Sequence, residues 1–195
     1  MVRAQWSFIT GGVRSGKSHF AEQQILKIAQ QQKRQPIYIA SGVAFDEEMK
    51  QRITKHRQDR AEENWQTIEQ PINIACAFEK IPENAVVLWD CVTTWLTNEL
   101  YDLDEEKKSL WKNPQAFQQK IAQAKQALLH LHSKGIPIII VSNELLDEPS
   151  YTSEEVEFYR QQLGDFHQWL VKQCDQAIEM DYGAPYFWKG GDENK

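Results

Sequence analysis

The residues best equipped for chemistry stand near the amino terminus. Gly11-Gly12-Val13-Arg14-Ser15-Gly16-Lys17-Ser18 reads G-x-x-x-x-G-K-S, a phosphate-binding loop. Its glycines allow turn conformations that a Cβ would forbid, so the loop's N–H groups can converge on a polyphosphate. Lys17 is placed to reach the β- and γ-phosphates, and the Ser18 hydroxyl to ligate Mg²⁺. The other reading is a chance glycine-rich turn. A second candidate is Asp90, the acid that ends the apolar run Ala85–Asp90. At the carboxyl end of a strand it could hold Mg²⁺, directly or through water, or it could cap the next helix. The third is His56, beside Arg57 and Arg60. It reads either as a half-buried helix residue or as a nucleophile, because a neutral imidazole can attack phosphorus while guanidinium groups steady the charge. His19 follows the loop, but Ser18 explains the motif without it. His130 and His132 read as exposed partners of a helix dipole, and His167 as helix surface.

A phosphate loop needs a strand before it and a helix after it. Residues 6–10 are short, apolar and β-prone, and residues 20–29 contain no Gly or Pro and carry helical periodicity. Further buried strands are expected at 36–40, 85–90 and 136–141, with an edge strand at 65–69 and closing strands at 176–180 and 185–188. Helices are expected at 46–60, at 72–81 with Asn73 as cap, and at 93–100, 115–133 and 153–174. On the first of these, Met49, Ile53, His56 and Arg60 share a stripe. Ser142-Asn143-Glu144 falls at the carboxyl end of a strand, where open parallel sheets bind ligands. Strands alternating with helices indicate an α/β domain with a largely parallel central sheet flanked by helices.

The chain has 195 residues, enough for one substantial core, and a single nucleotide-binding domain is expected. A net charge of −6 argues against nucleic acid as partner. Cys76, Cys91 and Cys174 are odd in number and widely spaced, which fits a reducing compartment rather than a disulfide framework. No secretory leader is recognisable, and no window approaches the roughly 20 apolar residues of a membrane span. A cytoplasmic protein is expected.

The motifs together resemble the bifunctional adenosylcobinamide kinase/adenosylcobinamide-phosphate guanylyltransferases of cobalamin biosynthesis. Thr10–Ser18 matches that family's "TGGxRSGKS". Asp46-Glu47-Glu48-Met49, Arg52-Ile53, His56-Arg57 and Arg60 are similar to its "DxEMxxRIxxHRxxRP". Trp65, Thr67 and Glu69 match "WxTxE", and Asp90–Asn98 resembles "DCLTxWLxN". The second half departs from the pattern: Asn143-Glu144-Leu145-Leu146-Asp147-Glu148-Pro149 stands where "NEVGxGIVP" is usual, and Gly183-Ala184-Pro185 echoes "GxP".

The resemblance implies a P-loop, RecA-like fold and a guanylylated histidine, a role it places on His56. It implies nucleotide contacts from Ala40, Ser41, Gly42, Arg57, Gln58, Asp59, Arg60, Glu69 and Asp90, besides the loop itself. It also implies ATP and GTP as substrates with Mg²⁺, adenosylcobinamide as acceptor, and a homo-oligomer, a trimer in the best-described kind. The readings that compete with it are another P-loop small-molecule kinase with a structural His56, and a nucleotide-binding regulator without catalysis.

Overall fold

The computed structural model describes residues 5–42, 64–103, 107–145 and 153–191. The helix expected at 46–60, with His56, Arg57, Gln58, Asp59 and Arg60, lies outside them.

Among the described residues, seven strands form one sheet: β1 (Trp6–Gly11), β2 (Gln35–Ala40), β3 (Gln66–Glu69), β4 (Ala85–Asp90), β5 (Ile138–Val141), β6 (Gln176–Asp181) and β7 (Ala184–Lys189). Their spatial order is β3-β2-β4-β5-β1-β6-β7. All neighbours run parallel except β6 and β7, which form an antiparallel hairpin. Among the described residues, five α-helices connect them: α1 (Lys17–Gln32), α2 (Ala75–Phe78), α3 (Val92–Tyr101), α4 (Pro114–Ser133) and α5 (Glu154–Gln173). This is the α/β P-loop arrangement expected, with the sheet covered on both faces.

Strand periodicity explains the covering. Successive side chains point to opposite faces, so an uninterrupted apolar run serves two cores. On β4, Val87 and Trp89 join the larger core beneath α2 to α5, while Val86 and Leu88 join the core beneath α1. Phe8 and Ile9 on β1 divide in the same way. Trp89 anchors the larger core, with Trp95, Phe78 and Phe166 around it at ring-centroid distances of 5.3, 5.4 and 6.3 Å. Edge-to-face pairs of this kind contribute about 0.5–1.5 kcal/mol each beyond burial. Pro36 is tolerated in β2 because pairing with β3 begins only at Ile37, so the missing N–H costs that edge no ladder bond.

Helix boundaries follow local chemistry. Asn113 Oδ1 accepts from Ala116 N at 3.2 Å and Pro114 opens α4, one residue before the expected start. The helix expected at 72–81 is only Ala75–Phe78. Asn73 is not its cap, because its φ is +51° and its N–H donates to the buried carboxylate of Glu99. That tertiary bond overrides the local signal.

Two histidines also differ from expectation. His132 packs its ring edge-on against Trp6 at 5.0 Å, while His130 is exposed. His167 is not on the surface but 7% exposed, with its Nε2 sharing a 2.7 Å hydrogen bond with Ser142 Oγ. Phe8 lies against its ring at 5.0 Å. The α5 face carrying Leu163, Phe166 and Leu170 is turned inward and takes His167 with it.

Burial lowers the His167 pKa from 6.5 to about 4. The folded state therefore holds this ring neutral while the unfolded chain protonates it. The contribution is complete above pH 6.5 and is lost as pH falls from 6.5 toward 4, by up to about 3 kcal/mol. His167→Gln should unfold with a shallower pH dependence in that window. Urea midpoints for both proteins at pH 7.5 and 4.5 measure the difference, and equal slopes would show that the ring does not titrate.

Candidate nucleotide site

The phosphate loop runs from the end of β1 to the first turn of α1. Gly16, with φ +89°, stands at the α1 N-cap, so the helix begins at Lys17 with its amide end turned toward the loop. Arg14 also has positive φ, at +63°. Backbone bonds hold the loop from several directions. Ser15 N donates to Gly12 O at 3.2 Å, and Glu144 N, just past β5, donates to Gly11 O at 3.0 Å. Gly183 N, in the β6–β7 turn, donates to Ser15 O at 3.1 Å. Gly12, Val13 and Arg14 are left exposed, while Ser15 and Lys17 are buried.

Lys17 is 7% exposed as a residue, and its ammonium donates to Gly12 O at 3.0 Å, across the loop. Burial lowers its pKa, and the nearby Asp90 and Cys91 oppose that shift. The Ser15 hydroxyl is buried without a hydrogen-bond partner among the described residues. An orphaned donor beside a buried cation suits an anionic ligand.

Strand register supplies the second part of the site. Ala40 pairs with Glu69 on one side and Asp90 on the other, and Asp90 pairs with Val141. Three residues far apart in sequence thus stand in one row at the carboxyl ends of β3, β2 and β4. Ser41 and Gly42 continue from Ala40. Ser41 is fixed by its N–H to Asp90 O at 3.1 Å, by Trp89 Nε1 to its hydroxyl at 2.9 Å, and by Asn98 Nδ2 to its carbonyl at 2.9 Å.

Asp90 is not a helix cap. The α3 N-cap is Cys91, which makes no side-chain cap bond. Instead Asp90 Oδ2 accepts from Tyr38 OH at 3.1 Å, which fixes the carboxylate beside the loop. Ser18 is half-buried on the first turn of α1. No cluster of three or more His, Cys, Asp or Glu side chains able to hold a metal occurs among the described residues. One carboxylate and one hydroxyl are hard oxygen donors, and they fit a Mg²⁺ whose remaining ligands are phosphate oxygens and water.

Sequence reasoning marked only part of the wall beside this row. A largely apolar pocket of about 710 Å³ opens there, with Ile72, Thr97, Asn98, Asn143, Leu145 and Tyr159 in its lining. Asn143 Nδ2 donates to Thr93 Oγ1 at 2.9 Å, and Tyr159 OH to Thr93 O at 3.2 Å. Asn98 Nδ2 also reaches Pro71 O at 3.1 Å. Beneath it, Glu99 Oε1 accepts from Trp95 Nε1 at 2.9 Å and from Asn73 N, and burial raises the Glu99 pKa. Of these residues Thr93, Trp95, Thr97 and Asn98 lie in the Asp90–Asn98 motif, and Asn143 was marked at the carboxyl end of a strand. The others come from separate elements that the fold brings together.

Gly11 shows how little slack the loop has. Its φ is +145°, and a Cβ there would fall 2.3 Å from Met180 O and 2.9 Å from Ser15 Oγ. Met180 belongs to the neighbouring strand and cannot yield. Gly11→Ala should cost about 2 kcal/mol and lower Tm by roughly 4–8 °C. It should also weaken pyrophosphate binding about ten-fold or more, because the amides that face the anion are displaced. Thermal unfolding and calorimetric titration check both. Wild-type affinity in the variant would show that the loop does not need this close approach.

Comparison with known proteins agrees with this geometry. The profile of the family described as cobinamide kinase / cobinamide phosphate guanyltransferase matches residues 7–187, including the region that departs from the quoted motifs. The bifunctional adenosylcobalamin biosynthesis protein CobU of Escherichia coli (strain K12) is 37% identical over 70% of this chain and 74% of its own length. CobP of Pseudomonas aeruginosa, also named a bifunctional adenosylcobalamin biosynthesis protein, is 32% identical over 93% and 96% respectively. Two solved structures share the fold. A KaiC-like protein from Pyrococcus horikoshii OT3 has a TM-score of 0.52 and 14% identity, covering 90% of this chain and 70% of its own. The flagellar accessory protein FlaH from Methanocaldococcus jannaschii has a TM-score of 0.53 and 12% identity, covering 98% and 82%. No helix among the described residues is long and apolar enough to cross a membrane. By family match and by sequence identity, the chain belongs to the cobinamide kinase / cobinamide phosphate guanyltransferase family.

Proposed function

We propose that this chain carries out both reactions of its family at one nucleotide site. In the first, the aminopropanol hydroxyl of adenosylcobinamide attacks the γ-phosphorus of ATP or GTP. An O–P bond forms, the bond to the β–γ bridging oxygen breaks, the diphosphate leaves and the hydroxyl proton goes to solvent. In the second, a His56 ring nitrogen attacks the α-phosphorus of GTP and pyrophosphate leaves. A phosphate oxygen of adenosylcobinamide phosphate then displaces the imidazole, giving adenosylcobinamide-GDP. The observation that carries this reading is the row Glu69–Ala40–Asp90 beside the phosphate loop. These are the nucleotide contacts that the resemblance implies, and the register makes them neighbours.

Each described site residue has a part. The loop amides from Gly11 to Ser18 and the Lys17 ammonium hold the phosphates and offset charge as it shifts in transfer. Mg²⁺, when bound, neutralises and orients the phosphate oxygens, with Ser18 and Asp90 as its protein ligands. Tyr38 keeps Asp90 oriented, as partners behind metal ligands commonly do. Ala40, Ser41, Gly42 and Glu69 contact the nucleotide. The pocket beside Asp90 admits the acceptor arm, since its apolar walls and amide and hydroxyl groups suit an arm that carries an amide and a hydroxyl. His56, Arg57, Gln58, Asp59 and Arg60 complete the guanylyl site. We read the whole as a cytoplasmic homo-oligomer, a trimer by resemblance, of single-domain subunits.

GTP labelled at the α-phosphate tests the reading. The wild type with Mg²⁺ should retain an acid-labile, base-stable label. His56→Ala should lose the label and guanylyl transfer while still phosphorylating adenosylcobinamide. Label persisting in His56→Ala would move the nucleophile elsewhere, His19 first. Asp90→Asn should raise the Mg²⁺ concentration needed for half-maximal turnover, and an unchanged Mg²⁺ titration would remove Asp90 from the metal site. Lys17→Ala should lower both rates by about 10²-fold or more with the fold intact, as loss of a preorganised charge does.

A further inference from the structure

The β6–β7 turn is the least expected part of the loop's surroundings. Asp181 pairs with Ala184, so Tyr182 and Gly183 alone make the turn. Both have positive φ, +45° and +83°, as a type I′ hairpin turn requires. Asn, Asp and Gly suit the first of these positions, whereas a tyrosine there is strained. Tyr182 is also 97% exposed. Its neighbour Gly183 is fixed to the phosphate loop by the bond to Ser15 O, and Gly183 Cα lies 3.6 Å from where a Gly16 Cβ would stand. A bulky aromatic is therefore held in a costly conformation, without burial, at the rim of the phosphate loop. Retained strain of this kind points toward function.

The sheet order says what the ring would meet. Asp90 is on β4, to one side of β1, and its charge acts on Lys17. The metal-bound, γ-phosphate end of a nucleotide belongs on that side. In the phosphoryl-transfer pose the nucleoside end of a triphosphate on the loop then extends to the other side of β1, where β6 and β7 lie, and the Ala40–Glu69 side is left for the guanylyl group of the second reaction. From this placement, which rests on the nucleotide-site reading above, we propose that Tyr182 is the platform on which the base of the bound nucleoside triphosphate stacks. Every base offers a π-face, so stacking is indifferent to purine identity. Such a platform accepts ATP and GTP alike.

Calorimetric titration of the full-length protein with Mg²⁺ and three ligands tests this: ATP, GTP and inorganic tripolyphosphate. Tyr182→Asn is the main variant, because Asn is at home in a type I′ turn and keeps the hairpin. It should weaken ATP and GTP by about ten-fold each and leave tripolyphosphate unchanged. Tyr182→Phe and Tyr182→Trp should bind all three as the wild type does. In kinase assays Tyr182→Asn should raise KM for either nucleotide with kcat retained. Equal weakening of tripolyphosphate would make the turn a brace for the loop, and unchanged nucleotide binding would place the base elsewhere. Either result overturns the proposal while the phosphate site stands. Failure of the wild type to bind tripolyphosphate would instead overturn the nucleotide-site reading, and the platform with it.

Discussion

The site depends on one constraint: a loop without regular secondary structure must keep its amides turned outward while packed against the end of a sheet. Met180 O lies so close to Gly11 that no side chain fits between them. That approach holds the loop against β6. The backbone bonds from Glu144 and Gly183 then fix it from the β5 side and from the hairpin. The anion cradle is therefore rigid because of strands that contribute no side chain to it. Preorganised dipoles of this sort need little rearrangement when charge moves during transfer.

Electrostatics follows from the same packing. Burial works against the charge on Lys17, and Asp90 and Cys91 work for it. Asp90 thus has two effects, supporting the ammonium and offering an oxygen ligand, while Tyr38 limits its freedom. The opposite solution appears deeper in the fold. His167 has no such anion near it among the described residues and is held neutral by burial. Glu99 keeps one oxygen bonded to Trp95 and Asn73, while burial raises its pKa.

Much of this was legible in the sequence, because the signals were local. The phosphate loop, the apolar strands and the acid ending β4 each declare themselves within a few residues. Even β3 showed itself as an edge by its alternation. What was not legible depends on contacts between distant segments. Asn73 looks like a cap until Glu99 takes its N–H, and His167 looks like surface until Ser142 and Phe8 close around it. Asn143 was marked only by its place at a strand end, and the wall it makes with Tyr159 exists only where β5, α3 and α5 meet. The carboxyl-terminal hairpin was readable as two strands, but its bond to the phosphate loop was not.

The row of strand ends also sets a scale. Neighbouring strands stand about 4.8 Å apart, and four such intervals separate β1 from β3. Gly11 and Glu69 are therefore about 19 Å apart across the sheet, too far for one phosphate group to touch both. A ligand that uses the whole shelf must lie crosswise over the strands and be extended. Changing its length would require adding or removing a strand, so the sheet itself is the ruler against which this protein measures what it holds.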